Sequence, residues 1–292
     1  MPTSSPAFDL FKALEAAIEA AHAGASVLRS YHQRRTDLII DRKARNDFVS
    51  QADKEAELMI MQRLRQATPH IGIVAEESGG TPDEHINWII DPLDGTTNYL
   101  HGIPHYAVSI GLVGKAGLKL PYGETLQADT PLVGVVYDPC REEMFTAVKD
   151  VGAWLNSHRI HCSQTQTLED ALLATGFPFS DLSFTDTYSA MLNNAFVRTQ
   201  GVRRNGAAAL DLAWVACGRF DGYWELRLSP WDVAAGALLV REAGGLCEDP
   251  YGRHAWPVEG NVVAAGKALL PALKAMIAPD LERTPPLAPD GI

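Results

Sequence analysis

The most constraining stretch of this chain is Trp88-Ile89-Ile90-Asp91-Pro92-Leu93-Asp94-Gly95-Thr96-Thr97-Asn98. Bulky apolar residues run directly into two acids separated by two positions, which reads as a buried strand delivering carboxylates at its end. Pro92 biases Asp91 toward extended backbone, so that its carboxylate projects past the strand. Gly95 lets the backbone approach a ligand closely. Thr96 and Thr97 follow with amides and hydroxyls free to hold an anion at the start of a short helix. Ligands gather beyond strand carboxyl ends in layered α/β folds. Two acids at this spacing suit magnesium, a hard cation that takes oxygen ligands. The competing reading is an Asx-turn followed by a helix cap, because Asp-Gly is a common turn.

Around this stretch the chain alternates between two textures. Phe8, Phe11, Leu14, Ile18, Ala21, Ala25 and Leu28 recur every three or four positions and predict a long amphipathic helix, preceded by a frayed segment 1–6. Lys43–Phe48 is polar and turn-like. Ser50 and Asp53 have capping-box spacing before Ala56, Met59, Ile60 and Leu64, which predicts a second helix. Strands are predicted at Ile71–Ala75, Ile86–Ile90, Tyr106–Val113, Leu132–Tyr137 and Met144–Val148. Lys115–Thr130 reads as a long surface loop, uncommon enough to suggest an insertion. Later, Leu210, Ala213, Trp214 and Cys217 mark a helix face, and Phe220–Leu226 a strand. Ser229-Pro230 opens another helix that Gly244-Gly245 closes. The whole predicts an α+β or α/β layered sandwich of alternating helices and sheets. It is read as a single domain over residues 1–292, with an N-terminal lobe about 1–155, a C-terminal lobe about 156–283 and a loose tail at 284–292.

Composition excludes some functions. With 292 residues, 46% of them hydrophobic, the chain can bury a large core. A net charge of −11 offers no cationic surface to a phosphate backbone and argues against nucleic acid as a general partner. No signal peptide is visible, and no apolar run approaches the ~20 residues needed to cross a bilayer. Cys140, Cys162, Cys217 and Cys247 form no CxxC pair. They read as buried thiols of a reduced cytoplasmic protein, not as a zinc site. The loops of P-loop kinases, dinucleotide enzymes and serine hydrolases are absent.

Three more acids stand where chemistry could use them. Glu76 follows the strand Ile71–Ala75, where a solvated turn is the plainer reading. Asp232 sits in the first turn of a helix, where it would complement the helix dipole. The small residues Ala234, Ala235 and Gly236 would let that turn pack closely on a sheet. Asp53 is explained locally by its capping box.

Glu76-Glu77-Ser78, Asp91-Pro92-Leu93-Asp94-Gly95-Thr96-Thr97-Asn98 and Trp231-Asp232-Val233-Ala234-Ala235-Gly236, in this order, resemble the inositol monophosphatase family of metal-dependent phosphatases. The resemblance runs from about Asn46 to Gly245 and includes Arg204–Ala209 and Asp221–Glu225. It implies that Glu76, Asp91 and the Leu93 carbonyl hold a first Mg2+. Asp91, Asp94 and Asp232 would hold a second, and a looser third position would lie near Glu76. Thr96 would position the attacking water with help from Glu76 and Asp53, and Gly95 and Thr96 would present amides to phosphate. Gly206, Ala207, Ala208 and Glu225 would face the alcohol, with Lys43 on a loop near the site. The resemblance also implies lithium sensitivity and a homodimer. Ala207 departs from the Ser or Thr usual at its position, and the 115–130 stretch is longer than the family leads one to expect.

The expected activity is thus Mg2+-dependent hydrolysis of a small polyol phosphate monoester, foremost inositol 1-phosphate. Histidinol phosphate, fructose 1,6-bisphosphate and a nucleoside bisphosphate are the alternatives within the same fold. A non-catalytic regulatory protein on this fold is the alternative outside it. Independently of the resemblance, four acids in one cleft cannot all stay ionised without cations. Two divalent ions would neutralise them and activate a water for in-line displacement.

Overall fold

The run before Asp91 forms the second strand of a seven-stranded sheet. The computed structural model describes residues 9–33, 40–44, 47–177, 183–254 and 256–281, and for 40–44 and 47–49 the backbone alone. The frayed start at 1–6, Phe8, the tail at 284–292 and the Lys43 side chain lie outside these described residues.

In chain order the elements begin with α1 (Leu10–His32), the hairpin β1 (Ile40–Ala44) and β2 (Asp47–Ser50), and α2 (Gln51–Ala67). Then come β3 (Gly72–Ala75), β4 (Ile86–Asp94), α3 (Thr96–His101), β5 (Ala107–Gly114), β6 (Thr130–Asp138), β7 (Glu143–Val148), β8 (Gly152–Leu155) and β9 (His158–Arg159). The second half contains β10 (Leu172–Thr175), α4 (Thr185–Arg198), β11 (Gly201–Arg203), α5 (Ala208–Ala216), β12 (Gly222–Glu225) and α6 (Pro230–Glu242). It ends with β13 (Gly245–Glu248), β14 (Val262–Gly266) and α7 (Leu270–Leu281).

Strands β3 to β9 form the large sheet in sequence order, parallel between β3 and β4 and antiparallel elsewhere. The second sheet has the order β11-β10-β12-β14-β13. Helices fill the spaces between. Trp88 and Ile90 point into a core built with α1 and α2, while Ile89 points to the opposite face against α5 and α6. Tyr223, Val262 and Ala264 of the second sheet join that middle layer, and Trp224, Val263 and Ala265 turn away toward α4 and α7. The period of two in each strand therefore sorts residues into five layers: helices, sheet, helices, sheet, helices. The layered α+β fold expected from sequence is the fold observed.

Several expectations need correction. Phe11 is 58% exposed, because α1 starts at Leu10 under an Asp9 cap and buries a stripe of small residues from Ala13 to Ala25 that lets it lie close to α2. Lys43–Phe48 is not simply a turn: Ala44 pairs with Asp47 in an antiparallel ribbon, whose backbone pairing needs no apolar alternation. The 115–130 stretch is not purely a surface loop, since Leu118, Leu120 and Leu126 are buried in the first core and Lys119 bridges Thr125. The strand expected over Phe220–Leu226 is confined to Gly222–Glu225. Of the four thiols Cys162 and Cys247 are buried, Cys217 is half-buried and Cys140 is exposed.

Candidate metal centre and active site

Strand β4 does not stop at Ile90 but continues to Asp94. Asp91 pairs with Ser109 and Asp94 with Ala107, so three steps on β4 oppose two on β5. This bulge re-aims the strand and turns both carboxylates to one side. The Asx-turn is real as well, since Leu93 N donates to Asp91 Oδ1 at 2.9 Å. Gly95 then adopts φ 93°, a left-handed conformation that favours glycine, and caps the short helix α3.

Asp232 arrives from the middle helix layer. Its carboxylate closes the capping box by accepting from Ser229 N at 2.7 Å, and the Trp231 carbonyl accepts from Ser109 Oγ at 3.0 Å. Helix α6 can come this close because a Cβ on Gly134 would stand 2.8 Å from the Ala235 carbonyl, and one on Gly111 2.9 Å from Ala234 Cβ. Ala234 and Ala235 thus do pack on the sheet, whereas Gly236 packs against Leu212 of α5. Carboxylate oxygens of Asp91, Asp94 and Asp232 lie within 4.8 Å of one another.

Glu76 stands just past β3, its N–H donating to the Ile90 carbonyl at 3.2 Å and its side chain hydrogen-bonded to Asp91. Asp94 is also gripped from the second half of the chain, accepting from Ala208 N at 3.2 Å and Ala209 N at 2.8 Å. These are the exposed donors of the first turn of α5, whose own cap residue Ala207 carries no hydroxyl. Asp94 is consequently buried at the end of β4 and ties the large sheet to helix α5.

Electrostatics matches this crowding. Burial first, then the charges of Glu76, Asp94 and Asp232, hold the Asp91 carboxyl well above its usual range. Asp232 is raised well above it too, by burial and then by Asp94 and Glu76. Burial pushes Asp94 up to about 7 against the two amides that lower it. A site of clustered, repelling oxygens fits a hard divalent cation that restores their ionisation, with Asp91, Asp94, Asp232, Glu76 and the Leu93 carbonyl as available donors.

Beside the acids, Thr96 Oγ1 lies 3.2 Å from Asp53 Oδ1 and 3.0 Å from the Leu93 carbonyl. Asp53 also completes its capping box, accepting from Ser50 N at 3.0 Å, so the local and the site readings both hold for its geometry. Burial raises its carboxyl, opposed by the Ser50 hydrogen bonds. Across the cleft Glu225 ends β12, buried, accepting from the Tyr223 hydroxyl. Burial raises it to about 7, with Tyr223 and Arg204 pulling it down. Gly206, Ala207 and Ala208 form the turn into α5, with Ala207 buried and its Cβ 3.3 Å from where a Cβ on Gly95 would stand.

Sequence reasoning missed the residues that hold this turn. Asn98 Nδ2 donates to the His105 carbonyl at 2.9 Å and the Asn205 carbonyl at 2.8 Å. Asn205 Nδ2 in turn donates to buried Asp211 at 3.0 Å. Glu57, also buried, accepts from the amides of Glu77 and Ser78. A buried acid on a helix face, as Glu57 and Asp211 are, was the available signal.

Comparison with known proteins bears on the family. The profile of the Inositol monophosphatase family matches residues 9–285. "Nus factor SuhB" of Pseudomonas aeruginosa is 44% identical over 283 residues, covering 92% of this chain and 98% of that protein. The Salmonella typhimurium protein of the same name is 41% identical over 271 residues, covering 92% and 96%. Among solved structures, the extragenic suppressor protein suhB of Bartonella henselae superposes with a TM-score of 0.82 at 38% identity, over 91% of this chain and 98% of that one. An inositol monophosphatase from Anabaena (Nostoc) gives 0.75 at 36% identity, over 96% and 99%. Taken with the carboxylate cluster where β4 meets α5 and α6, these matches place the chain in the inositol monophosphatase family.

Proposed function

We propose that the chain is a Mg2+-dependent phosphatase that hydrolyses a small polyol phosphate monoester, foremost inositol 1-phosphate. The observation that carries this reading is the convergence of Asp91, Asp94 and Asp232 oxygens within 4.8 Å, beside the Thr96–Asp53 pair. Glu76, Asp91 and the Leu93 carbonyl would hold one ion; Asp91, Asp94 and Asp232 would hold another, with a looser third near Glu76. What bound magnesium supplies is positive charge that acidifies a water and stabilises the departing oxygen. Asp53 accepts the Thr96 hydroxyl proton, which leaves the Thr96 oxygen free to accept from the water and aim it. Glu76 helps to orient that water. The Gly95 and Thr96 amides hold phosphate oxygens. Gly206, Ala207, Ala208 and Glu225 receive the alcohol, the Glu225 carboxylate accepting from its hydroxyls, and from the resemblance Lys43 belongs to a loop near the site.

The test is phosphate release from a panel of esters with Mg2+ and with chelator, for the native chain and for Asp94→Asn. We expect turnover that needs Mg2+ and a loss on the order of 100-fold or more in the folded variant. Turnover of Asp94→Asn near the native rate would remove Asp94 from the mechanism. Lithium chloride should inhibit where sodium chloride of equal ionic strength does not. From the resemblance we also take the enzyme to be a cytoplasmic homodimer, and among the described residues no helix is long and apolar enough to cross a membrane.

A second reading is favoured by the name of the curated relatives. A chain 41–44% identical to proteins called Nus factor SuhB would share that role alongside catalysis. Replacement of the relative in a bacterium lacking it, by the native chain and by Asp94→Asn, separates the two. Rescue by both assigns the role to the fold's surface, rescue by the native chain alone to turnover, and rescue by neither rejects it.

A further inference from the structure

Helix α2 touches both of the turns that carry the site's acids. Asp53 and Glu57 are one helical turn apart and share a face. Asp53 meets Thr96, just past the β4 bulge. Glu57, 3% exposed, accepts at Oε2 from Glu77 N at 2.7 Å and at Oε1 from Ser78 N at 2.9 Å. Its two oxygens therefore grip two consecutive amides of the turn that follows β3. That turn closes on itself through Gly79 N to the Ala75 carbonyl at 2.9 Å, and Glu76 N is tied to Ile90. Glu76 is thus bounded on one side by the strand that bears Asp91 and on the other by Glu57.

We propose that Glu57 is a positioning residue that fixes Glu76 as a metal donor by clamping the amides of Glu77 and Ser78. The inference rests on the reading of Glu76 as a magnesium ligand. A carboxylate taken out of water is costly unless strongly hydrogen-bonded, and two charge-assisted bonds from the backbone offset that cost while ordering the turn. The Glu76–Asp91 hydrogen bond is given up when both carboxylates turn to a cation, so the turn needs an anchor of its own. The clamp keeps Glu76 in place before the ion arrives, which lowers the ordering that binding must do.

The experiment is Mg2+ titration of the full chain by calorimetry, for the native protein, Glu57→Gln and Glu57→Ala, with melting in chelator measured alongside. Gln keeps one acceptor and Ala none, so affinity should fall in the order native, Gln, Ala. The loss for Ala should be about tenfold or more, the range found when partners of metal ligands are removed. Raising Mg2+ should recover turnover in both variants. A role in stability alone would lower melting in chelator and leave Mg2+ affinity at the native value in the Gln variant, which overturns the proposal even if the Ala variant does not fold. If the native chain takes up no Mg2+, the phosphatase reading fails and the proposal with it; native uptake with unchanged variants rejects the clamp alone.

Discussion

On the proposed function, Glu225 and Ala207 would set what the alcohol side of the cleft can recognise. A site that hydrogen-bonds substrate hydroxyls rejects analogues lacking them, since its buried polar groups are then left unpaired. Glu225→Ala should lower kcat/KM for inositol 1-phosphate more than for a simple aryl phosphate. Ala207→Ser should sharpen preference among polyol phosphates, although Ala207 is buried at the α5 cap and a new hydroxyl there also competes for the amides that bind Asp94. Equal losses on every ester would reject Glu225 as selector. His105 offers a test of burial independent of substrate. It packs edge-on against Trp214, its Nε2 finds no hydrogen-bond partner among the described residues, and burial, then Arg141, lowers its pKa to about 4 from 6.5. A depressed folded pKa means that stability is present above 6.5 and lost as pH falls toward 4. His105→Phe should therefore lose less stability between pH 7 and 4 than the native chain, by about 2–3 kcal/mol in urea unfolding. Parallel curves would show that His105 titrates normally.

The element that sets the candidate metal centre is α6. Its first turn carries Asp232, and its second rests on Gly111 and Gly134 of the large sheet. A methyl at Gly134 would collide with backbone, the Ala235 carbonyl at 2.8 Å and Cα at 3.1 Å, neither of which can rotate away. Gly134→Ala should destabilise the fold by about 1–3 kcal/mol, the cost of overpacking. It should also weaken Mg2+ activation, because lifting α6 carries Asp232 away from Asp91 and Asp94. Chemical denaturation and the Mg2+ dependence of turnover read the two effects separately, and a change in neither would mean that α6 has slack. Helix α5 plays the matching part from the other end, its first-turn amides holding Asp94 without a side-chain cap of its own.

Across the whole molecule the acids gather where the large sheet meets the helices packed between the two sheets, and their crowding would make the native state sensitive to a bound cation. Glu76, Asp91 and Asp94 come with the large sheet, and Asp232 with a helix lodged between both sheets. A ligand at 100 times its Kd stabilises the native state by roughly 2.7 kcal/mol if it ignores the unfolded chain. Melting in saturating Mg2+ should therefore exceed melting in chelator by about 5 °C. Coincident melts at saturating metal would count against the centre.

Much of this was legible from residue order alone, for a physical reason. Strand delivery of Asp91, the Asp94-Gly95 turn, the Ser229-Pro230 start of α6 and the capping box of Asp53 are decided within a few residues by backbone sterics and local hydrogen bonds. Spacing likewise marked the apolar face of α2, and the apolar run before Asp91 marked a buried strand, which together with the alternation of helices and strands indicated the layered class of the fold. Phe11 shows the limit, since the angle at which α1 meets α2 decides which part of its apolar stripe is covered. The continuation of β4 to Asp94 depends on a partner strand, and Leu118, Leu120 and Leu126 find a core only once the large sheet exists. The grip of α5 on Asp94 spans more than a hundred residues, as does the tie from Asn98 to Asn205. Local chemistry chose each acid's immediate backbone setting; the packing of α5 and α6 between two sheets decided which acids meet, because only that packing makes their mutual repulsion unavoidable.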